Sequence, residues 1–600
     1  MIDLKGINDV VIRFATVNGT GSASANNMFA KAVYKMGVPV TPKNIFPSNI
    51  QGLPTWYEVR VSEKGYLGRR EGIDILVAVN AQSFAKDVQS VRSGGYLMYD
   101  STKLLADEDK RPDIHYIGIP MMEMCIAHYN DARTHLLMKN VIYVGALAAL
   151  LGMEISVFEN LIQEQFKKKE KLIPGNIQAL HLGVDYALKN YPLLPYKIER
   201  RDLIGDRILI EGNNACGLGA LFAGATVGSW YPITPSTSVM NAFEKWCYKF
   251  RVDPETGEHK FAIIQAEDEL AAMGMVLGAN WNGARSFTAT SGPGVSLMSE
   301  FLGLSYFAEI PAVLIDVQRG GPSTGMPTRT QQSDLMIAAY ASHGDTKHVL
   351  LFPSNPKECF DMTADAFDFA ERYQTAILIM TDLDLGMNDH LSDPLQWDDS
   401  RMYKRGKVLT AVELESMKSF GRYQDVDGDG IPYRTIPGTH PTKGSYFTRG
   451  SSKDENAKYT EESEAYVHNV DRLAKKWLTI QKEIYPPEIT INDKGSKKGL
   501  IFFGTSSYAA IEAIDLLAEN GLHFNAMRLK AFPFTKEVHE FIDNHDEIYV
   551  IEQNRDAQCR TILITELNIN PSKLKSVLNY DGFPITAQFI SEKIMVKSEK

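Results

Sequence analysis

Three short segments near the middle of the chain, residues 261–265, 286–290 and 311–317, constrain its fold more than any other feature. Each is rich in alanine, β-branched and aromatic residues, each runs into a loop of special composition, and helical patterns separate them. Parallel strands need a long crossover, usually a helix, and strands buried on both faces read as near-continuous apolar runs. The alternation therefore predicts an α/β fold with helices covering a mostly parallel sheet. In such sheets the loops leaving the carboxyl ends of the strands form the ligand-binding edge. Here they hold Glu267 with Asp268 and Glu269, the turn Ser291-Gly292-Pro293-Gly294, and the segment from Arg319 to Thr328.

A further loop, Tyr231-Pro232-Ile233-Thr234-Pro235-Ser236-Thr237, follows a glycine- and alanine-rich run at residues 212–228. Proline fixes φ and removes a donor, so Thr234 sits on a stiff turn whose side-chain aim is preset. Ser236 and Thr237 are expected to cap the helix that follows, and a hydroxyl at a helix N-terminus suits an anion. A plain proline-started helix entry accounts for the same residues. Each of the other loops also has two readings. A partly desolvated Glu267 suits a protonated ring nitrogen, or is a solvated helix N-terminal acid. The Ser291–Gly294 turn admits a ligand close to the backbone, or is a tight turn. Arg319 offers a planar fork to a substrate carboxylate, or makes a surface ion pair. Singly, the structural alternative explains each; their convergence on one edge points to a ligand cleft.

Composition narrows the function. A chain of 600 residues is expected to hold several domains. Hydrophobic content of 44% and charged content of 23% are ordinary for a globular protein, and a net charge of -11 argues against a nucleic-acid partner. The cysteines, Cys125, Cys216, Cys247, Cys359 and Cys559, form no CxxC pair, which fits a reducing cytoplasm and predicts no iron–sulfur cluster on this chain. Met1 begins a polar segment, so no secretory leader is expected, and no apolar run is long enough for a membrane span. The cluster Lys167-Lys168-Lys169-Glu170-Lys171 reads as a solvated helix end.

Five blocks are expected. Residues 1–190 form an α/β domain whose first strand leads through Asn18-Gly19-Thr20-Gly21-Ser22 into a helix at about 24–36; the loop is a weak candidate for seating a phosphate. Pro192 and Pro195 mark a linker at 191–205, and the central α/β domain runs from 206 to 395. Residues 396–490 are charged and turn-rich and read as an irregular connecting arm. A last α/β domain covers 491–600, with a helix from Tyr508 capped by Thr505, Ser506 and Ser507. Within the arm, Asp425-Val426-Asp427-Gly428-Asp429-Gly430 with Asn456 imitates a thiamine diphosphate–magnesium motif and the start of a calcium loop. The segment before it is too polar for the buried strand the first motif requires, and Ile436 stands where the second requires glutamate. It reads as an ordered loop, and no metal site is assigned to the chain.

The central motifs resemble a known family. Gly212-Asn-Asn-Ala215, Tyr231 to Thr237, Gln265-Ala-Glu267, Thr290-Ser-Gly-Pro-Gly294 and Gln318-Arg-Gly-Gly-Pro-Ser-Thr-Gly-Met-Pro-Thr328 closely resemble the α subunit of 2-oxoacid:ferredoxin oxidoreductases. The resemblance covers nearly the whole chain, with a γ-type domain fused ahead of α, an order common in the 2-oxoglutarate branch. The central domain resembles the pyrimidine-binding domain of thiamine diphosphate enzymes and the last a transketolase C-terminal domain. In the γ-type domain, Gln51 and Leu53 stand where Arg and Gly are usual, and the 18–22 loop lacks the usual denser glycine run.

The resemblance implies a thiamine diphosphate enzyme that decarboxylates a 2-oxoacid, transfers the acyl group to coenzyme A (CoA) and passes electrons to ferredoxin. It implies that Glu267 pairs with the aminopyrimidine and promotes ylid formation, and that Tyr231, Pro232, Ile233, Ser291 and Gly292 line the cofactor. Thr234, Arg319 and Thr328 would bind the 2-oxoacid, Arg319 suiting a second carboxylate. Mg2+, the cofactor diphosphate and a [4Fe-4S] cluster would belong to a β subunit in an (αβ)2 heterotetramer. Two other classes remain open: a non-catalytic scaffold that binds CoA or a nucleotide, and a carboligating thiamine enzyme without electron transfer.

Overall fold

The computed structural model describes residues 6–48 and 53–598. Gln51 and its neighbours 49–52 lie outside the described residues. The chain divides into two compact units: residues 1–209 with 388–394 and 586–588, and residues 210–387 with 395–585 and 589–600.

The first unit is built on a six-stranded sheet ordered Val40–Ile45, Pro54–Ser62, Asp9–Val17, Ile73–Ala78, Val91–Asp100 and His115–Ile119. The first three strands pair antiparallel and the rest parallel. Ile73–Ala78 is buried at every position, Asp74 included, as its near-continuous apolar run predicts. Helices Ser22–Lys35, Ala132–Leu150, Ile155–Phe166 and Ile173–Asn190 contribute to its main core around Phe14, Phe29, Tyr143 and Phe158. Two of these helices touch at backbone distance. A β-carbon on Gly183 would lie 2.0 Å from the Ile142 carbonyl oxygen, and one on Gly145 would lie 2.2 Å from that of Leu180. The glycine loop at 18–22 is packed from within: a β-carbon on Gly21 would meet Leu137 Cδ2 at 2.4 Å, and Asn140 Nδ2 donates to the Thr20 carbonyl at 2.8 Å. The proline-marked segment after 190 is no free linker. Tyr196–Lys197 pairs with Gly6–Ile7, and the Tyr191 hydroxyl donates to the Gly118 carbonyl at 2.9 Å.

The second unit holds a seven-stranded sheet ordered Ala262–Gln265, Val227–Trp230, Ser286–Thr290, Ala312–Gln318, Ala376–Asp382, Val349–Leu351 and Ala531–Phe532. The first six strands run parallel and the last antiparallel. A second, five-stranded sheet is ordered Glu488–Thr490, Asn525–Leu529, Lys498–Phe503, Glu547–Glu552 and Leu574–Leu578. One continuous apolar cluster runs from Met273, Met298 and Leu314 to Ile501, Met527 and Val550. The central and C-terminal segments therefore share a core, and Ala531–Phe532 completes the larger sheet.

The stretch expected to be an irregular arm ends in a long helix, Ser463–Glu483. Its buried face is Asn469, Arg472, Leu473, Lys476 and Ile480. That spacing is helical, but three of the five side chains are polar, so hydropathy does not reveal it. The polar face has a partner. Glu309, at φ 57° just past helix Gly292–Ala308, accepts from Arg472 Nη2 at 2.6 Å, Arg472 Nη1 at 3.0 Å and Lys476 Nζ at 2.9 Å. Lys453 also lies in this buried group, its ammonium 3.6 Å from the Phe307 ring centre and donating to the Phe307 carbonyl at 2.9 Å. The acidic loop at 425–430 is held by cations: Asp425 by Lys475 at 2.8 Å, Asp427 by Lys407 at 2.7 Å, and Asp429 by Lys407 at 2.8 Å.

The expected cap of the C-terminal helix is not made. Helix Ser506–Glu519 starts after Thr505, whose backbone is already helical (φ −66°, ψ −17°) and whose hydroxyl donates to Asp382 instead.

Candidate functional site

Strand order alone locates a crevice in the second unit. From Val227–Trp230 the chain crosses to Ala262–Gln265 on one side and then returns to Ser286–Thr290 on the other. The loops leaving Val227–Trp230 and Ser286–Thr290 therefore part, and ligands bind at such a switch point. These are the 231–236 loop and the Ser291–Gly294 turn.

The first loop is held from two sides. Arg319, at the end of Ala312–Gln318, donates from Nη1 to the Thr234 carbonyl oxygen at 2.6 Å. Asn213 donates from Nδ2 to the Pro235 carbonyl at 2.9 Å and to Ser238 Oγ at 2.8 Å. Ser236 and Thr237 do not cap helix Thr237–Phe250 as expected; their hydroxyls donate backwards to the Ile233 carbonyl at 3.1 and 3.2 Å. Ser236 has φ −76° and ψ −18°, whereas a capping residue needs extended backbone to aim its oxygen at the following amides. Tyr231 and Pro232 are exposed; Ile233 and Thr234 are half-buried.

Arg319 is only 7% exposed, and its Nε is shut off from solvent without a partner. Burial pulls its pKa below the ordinary value, against the opposing pull of Asp334 and Glu269. It is not the surface ion pair of the alternative reading. Thr328 is also buried, its carbonyl and hydroxyl oxygens accepting from Arg329 Nη1 at 2.8 and 3.3 Å. The 319–328 loop folds on itself: the Met326 amide donates to the Gly320 carbonyl at 2.7 Å, with Ser323 and Gly325 at positive φ.

The three acids after Ala262–Gln265 have three different fates. Asp268 caps helix Glu269–Trp281 by accepting from the Ala271 amide at 2.6 Å. Glu269 is buried in the first turn. Glu267 is exposed, contrary to the partial desolvation expected of it, because its strand is the sheet edge. The strand's own side chains share that exposure, Ile264 at 43%.

The Ser291–Gly294 turn opens helix Gly292–Ala308. Ser291 is fully buried, and its hydroxyl has no partner. The glycines make room for the chain's own side chains. A β-carbon on Gly292 would sit 2.6 Å from Asp334 Oδ1, and one on Gly294 would sit 1.8 Å from Thr290 Oγ1. Asp334, absent from the sequence-predicted site, stands directly against this turn, and Asp316, also absent from it, lies beside Thr290 in the sheet register. The available signal was a carboxylate inside the apolar run Ala312–Gln318.

The comparisons with known proteins agree with this geometry. The family model "Pyruvate ferredoxin/flavodoxin oxidoreductase" matches residues 11–186, and "Pyruvate flavodoxin/ferredoxin oxidoreductase, thiamine diP-bdg" matches residues 218–410. A 2-oxoacid:ferredoxin oxidoreductase α subunit of Aeropyrum pernix is 28% identical over 96% of both chains. A 2-oxoglutarate synthase subunit KorA of Methanothermobacter thermautotrophicus is 32% identical over 58% of this chain and 88% of its own length. The solved 2-oxoglutarate:ferredoxin oxidoreductase of Magnetococcus marinus, with 2-oxoglutarate, coenzyme A and succinyl-CoA bound, superposes with a TM-score of 0.88 at 26% identity, over 98% of this chain and 99% of that one. The fold and the site define an oxidoreductase with a thiamine diphosphate-binding domain. The chain belongs to the 2-oxoacid:ferredoxin oxidoreductase family, in the position of its α subunit.

The donor set fits one half of such a cofactor. Glu267 offers an exposed carboxylate just after the edge strand, and the buried Ser291 hydroxyl is a polar group without a protein partner. Among the described residues no group of three or more His, Cys, Asp or Glu is placed to hold a metal ion. Nor is any helix among them long and apolar enough to cross a membrane.

Proposed function

We propose that the chain is the substrate-recognising subunit of a complex that converts 2-oxoglutarate and CoA to succinyl-CoA and CO2, passing an electron pair to ferredoxin. One observation carries the reading: Arg319, a buried guanidinium at the switch point, is locked by Nη1 onto the Thr234 carbonyl. A preorganised planar cation suits the carboxylate of a dianionic acid. The bound 2-oxoglutarate of the Magnetococcus marinus relative supports that substrate class.

Thiamine diphosphate, when bound, supplies the electron sink for breaking the C1–C2 bond. The rest falls to this chain's residues. Glu267 would hold a proton on the aminopyrimidine, with Tyr231, Pro232, Ile233, Ser291 and Gly292 lining that ring. Thr234 and Thr328 would orient the acid against Arg319. The C1 carboxylate leaves as CO2, C2 bonds to the CoA sulfur, and the thiol proton is released as the electrons depart. A β subunit would contribute Mg2+, the diphosphate site and a [4Fe-4S] cluster, in an (αβ)2 assembly in the cytoplasm, where buried unpaired cysteines persist.

The test is reduction of a viologen dye by the chain with its partner subunit and CoA, on 2-oxoglutarate, pyruvate and a branched 2-oxoacid. The expected result is a clear preference for 2-oxoglutarate; preference for pyruvate or the branched acid moves the chain elsewhere in the family. Glu267→Ala should abolish turnover. Full activity of that variant would favour a scaffold role, and CoA-independent carboligation without dye reduction would favour a carboligase.

A further inference from the structure

Arg319 and Thr328 stand on one loop, and the limb that returns from it meets the C-terminal segment at each residue from 330 to 333. The Thr330 amide donates to the Gly582 carbonyl at 3.1 Å, Gln331 Nε2 donates to the Tyr580 carbonyl at 3.5 Å, and the Ser333 carbonyl accepts from Gln558 Nε2 at 2.7 Å. Gln332 makes the densest contact. It is 1% exposed. Its amide donates to the Gln553 carbonyl at 2.8 Å and its carbonyl accepts from Asn554 Nδ2 at 3.0 Å. Its Oε1 accepts from Ser506 Oγ at 2.9 Å and from the Gln553 amide at 3.2 Å, and its Nε2 donates to the Phe503 carbonyl at 3.2 Å. Both acceptor positions of the side-chain oxygen are therefore used.

Phe503 ends strand Lys498–Phe503, and Gln553 and Asn554 follow its parallel neighbour Glu547–Glu552. The carboxyl edge of a parallel sheet is where such folds hold ligands. In this sheet the edge holds a glutamine from a loop of the same chain. Gly504, at φ 54°, makes the room: a β-carbon there would stand 3.0 Å from Gln332 Nε2. The returning limb is in turn bonded to the neck of the loop. Gln331 Oε1 accepts from the Gly321 amide at 3.3 Å, and the Arg329 carbonyl accepts from the Gly320 amide at 3.0 Å, so both residues that follow Arg319 are tied to it. Gly582, at φ 87°, forms a second seat. A β-carbon there would stand 2.9 Å from Arg329 Cβ and 2.9 Å from Met326 Cε, and the Arg329 guanidinium lies 5.4 Å from the Phe583 ring centre.

We propose that Gln332 is a positioning residue for the 2-oxoacid: through it, the strand ends of the second sheet fix the spacing between Arg319 and Thr328. Gln332 acts through those two residues and not on the acid itself. Arg319 is anchored on one side by its bond to the Thr234 carbonyl and on the other by the seated neck. Loosening the seat lets the neck shift, and the guanidinium and Thr328 no longer face the acid together. The C-terminal segment is thereby part of substrate recognition.

The proposal rests on the reading that Arg319 and Thr328 bind the 2-oxoacid, and hydrogen exchange separates the two. Gln332→Met keeps the side-chain volume but leaves the Phe503 carbonyl, the Ser506 hydroxyl and the Gln553 amide without this partner. In the complex assembled with the partner subunit, exchange of the 319–328 amides should quicken about ten-fold or more. KM for 2-oxoglutarate should rise about ten-fold, with kcat changed by about two-fold at most and KM for CoA unmoved. Gly582→Ala disturbs the second seat and should move exchange and KM the same way, by about three-fold or more. Combined with Arg319→Lys, Gln332→Met should raise KM by less than the product of the single effects, because both act through one guanidinium. Unchanged exchange overturns the proposal, as does a loss in which kcat and both KM values move together, or a full product with Arg319→Lys. Quickened exchange alongside kinetics indifferent to Arg319→Lys would sink the substrate reading alone. If Gln332→Met does not assemble, Gly582→Ala decides by the same measures.

Discussion

Glu309→Gln is a sharp test of what holds the second unit together. The carboxylate accepts three charge-assisted bonds, two from Arg472 and one from Lys476, with all three side chains buried. Glutamine keeps the shape but removes the charge, and it turns one acceptor into a donor aimed at cations. Removing one partner of a buried pair costs about 3–5 kcal/mol, because the other charge remains desolvated. Arg422, Arg472, Lys453 and Lys476 would then share a buried volume without this anion. At about 1–2 °C per kcal/mol for a unit of this size, the calorimetric midpoint should fall by about 3–10 °C at neutral pH. The cost has a defined pH dependence. The cations hold Glu309 well below the ordinary carboxylate range despite its burial. Its stabilisation is therefore complete above the unfolded value of about 4.3 and is lost as pH falls toward the depressed folded value. The gap between wild type and variant should narrow below about pH 4. An unchanged midpoint at neutral pH, or a gap that widens in acid, refutes the argument.

Lys453→Met tests the same cluster from the other side: burial pushes the Lys453 ammonium down to about 7, so the wild type gains stability as pH rises from there. The substitution should raise the midpoint more at about pH 6 than at about pH 9, and the reverse order would contradict a desolvated lysine. Arg319→Lys should raise KM for the 2-oxoacid about ten-fold or more, since an ammonium cannot both bond the Thr234 carbonyl and present a fork; unchanged steady-state kinetics would remove Arg319 from the site. Gly183→Ala should destabilise the first unit by about 1–3 kcal/mol in denaturant unfolding, because its β-carbon would stand 2.0 Å from a carbonyl oxygen; a neutral result would mean the two helices part freely.

The legible parts of this chain are those whose signals are local. Ile73–Ala78 and Ala312–Gln318 announce themselves as buried parallel strands by apolar runs that a single carboxylate interrupts, Asp74 in one and Asp316 in the other. The binding edge follows from the loops after them, and the switch point follows from strand order. Helix Ser463–Glu483 stayed hidden because its inward residues include Asn469, Arg472 and Lys476, paired with groups far away in sequence. The caps at Ser236 and Thr505 failed because both residues take helical backbone and their hydroxyls bond elsewhere, Ser236 to the nearby Ile233 carbonyl and Thr505 to Asp382 across the fold. Three consecutive acids look alike in sequence; only the fold makes Asp268 a cap, buries Glu269 and leaves Glu267 at the edge. Asp334 lacked any local sign of its place, since what seats its carboxyl against Gly292 is the return of the 319–334 segment over that turn.

The open strand Ala262–Gln265 also bears on how a cell must make this protein. It ends the larger sheet with Ile264 in water and Tyr231 exposed on the neighbouring loop. A bare sheet border is a template for strand addition by any passing chain. Copies left with that border uncovered would offer it to one another as a pairing edge. Heterologous production of this chain alone should then yield less folded protein than co-expression with the proposed partner subunit, as the recovered soluble fraction would show.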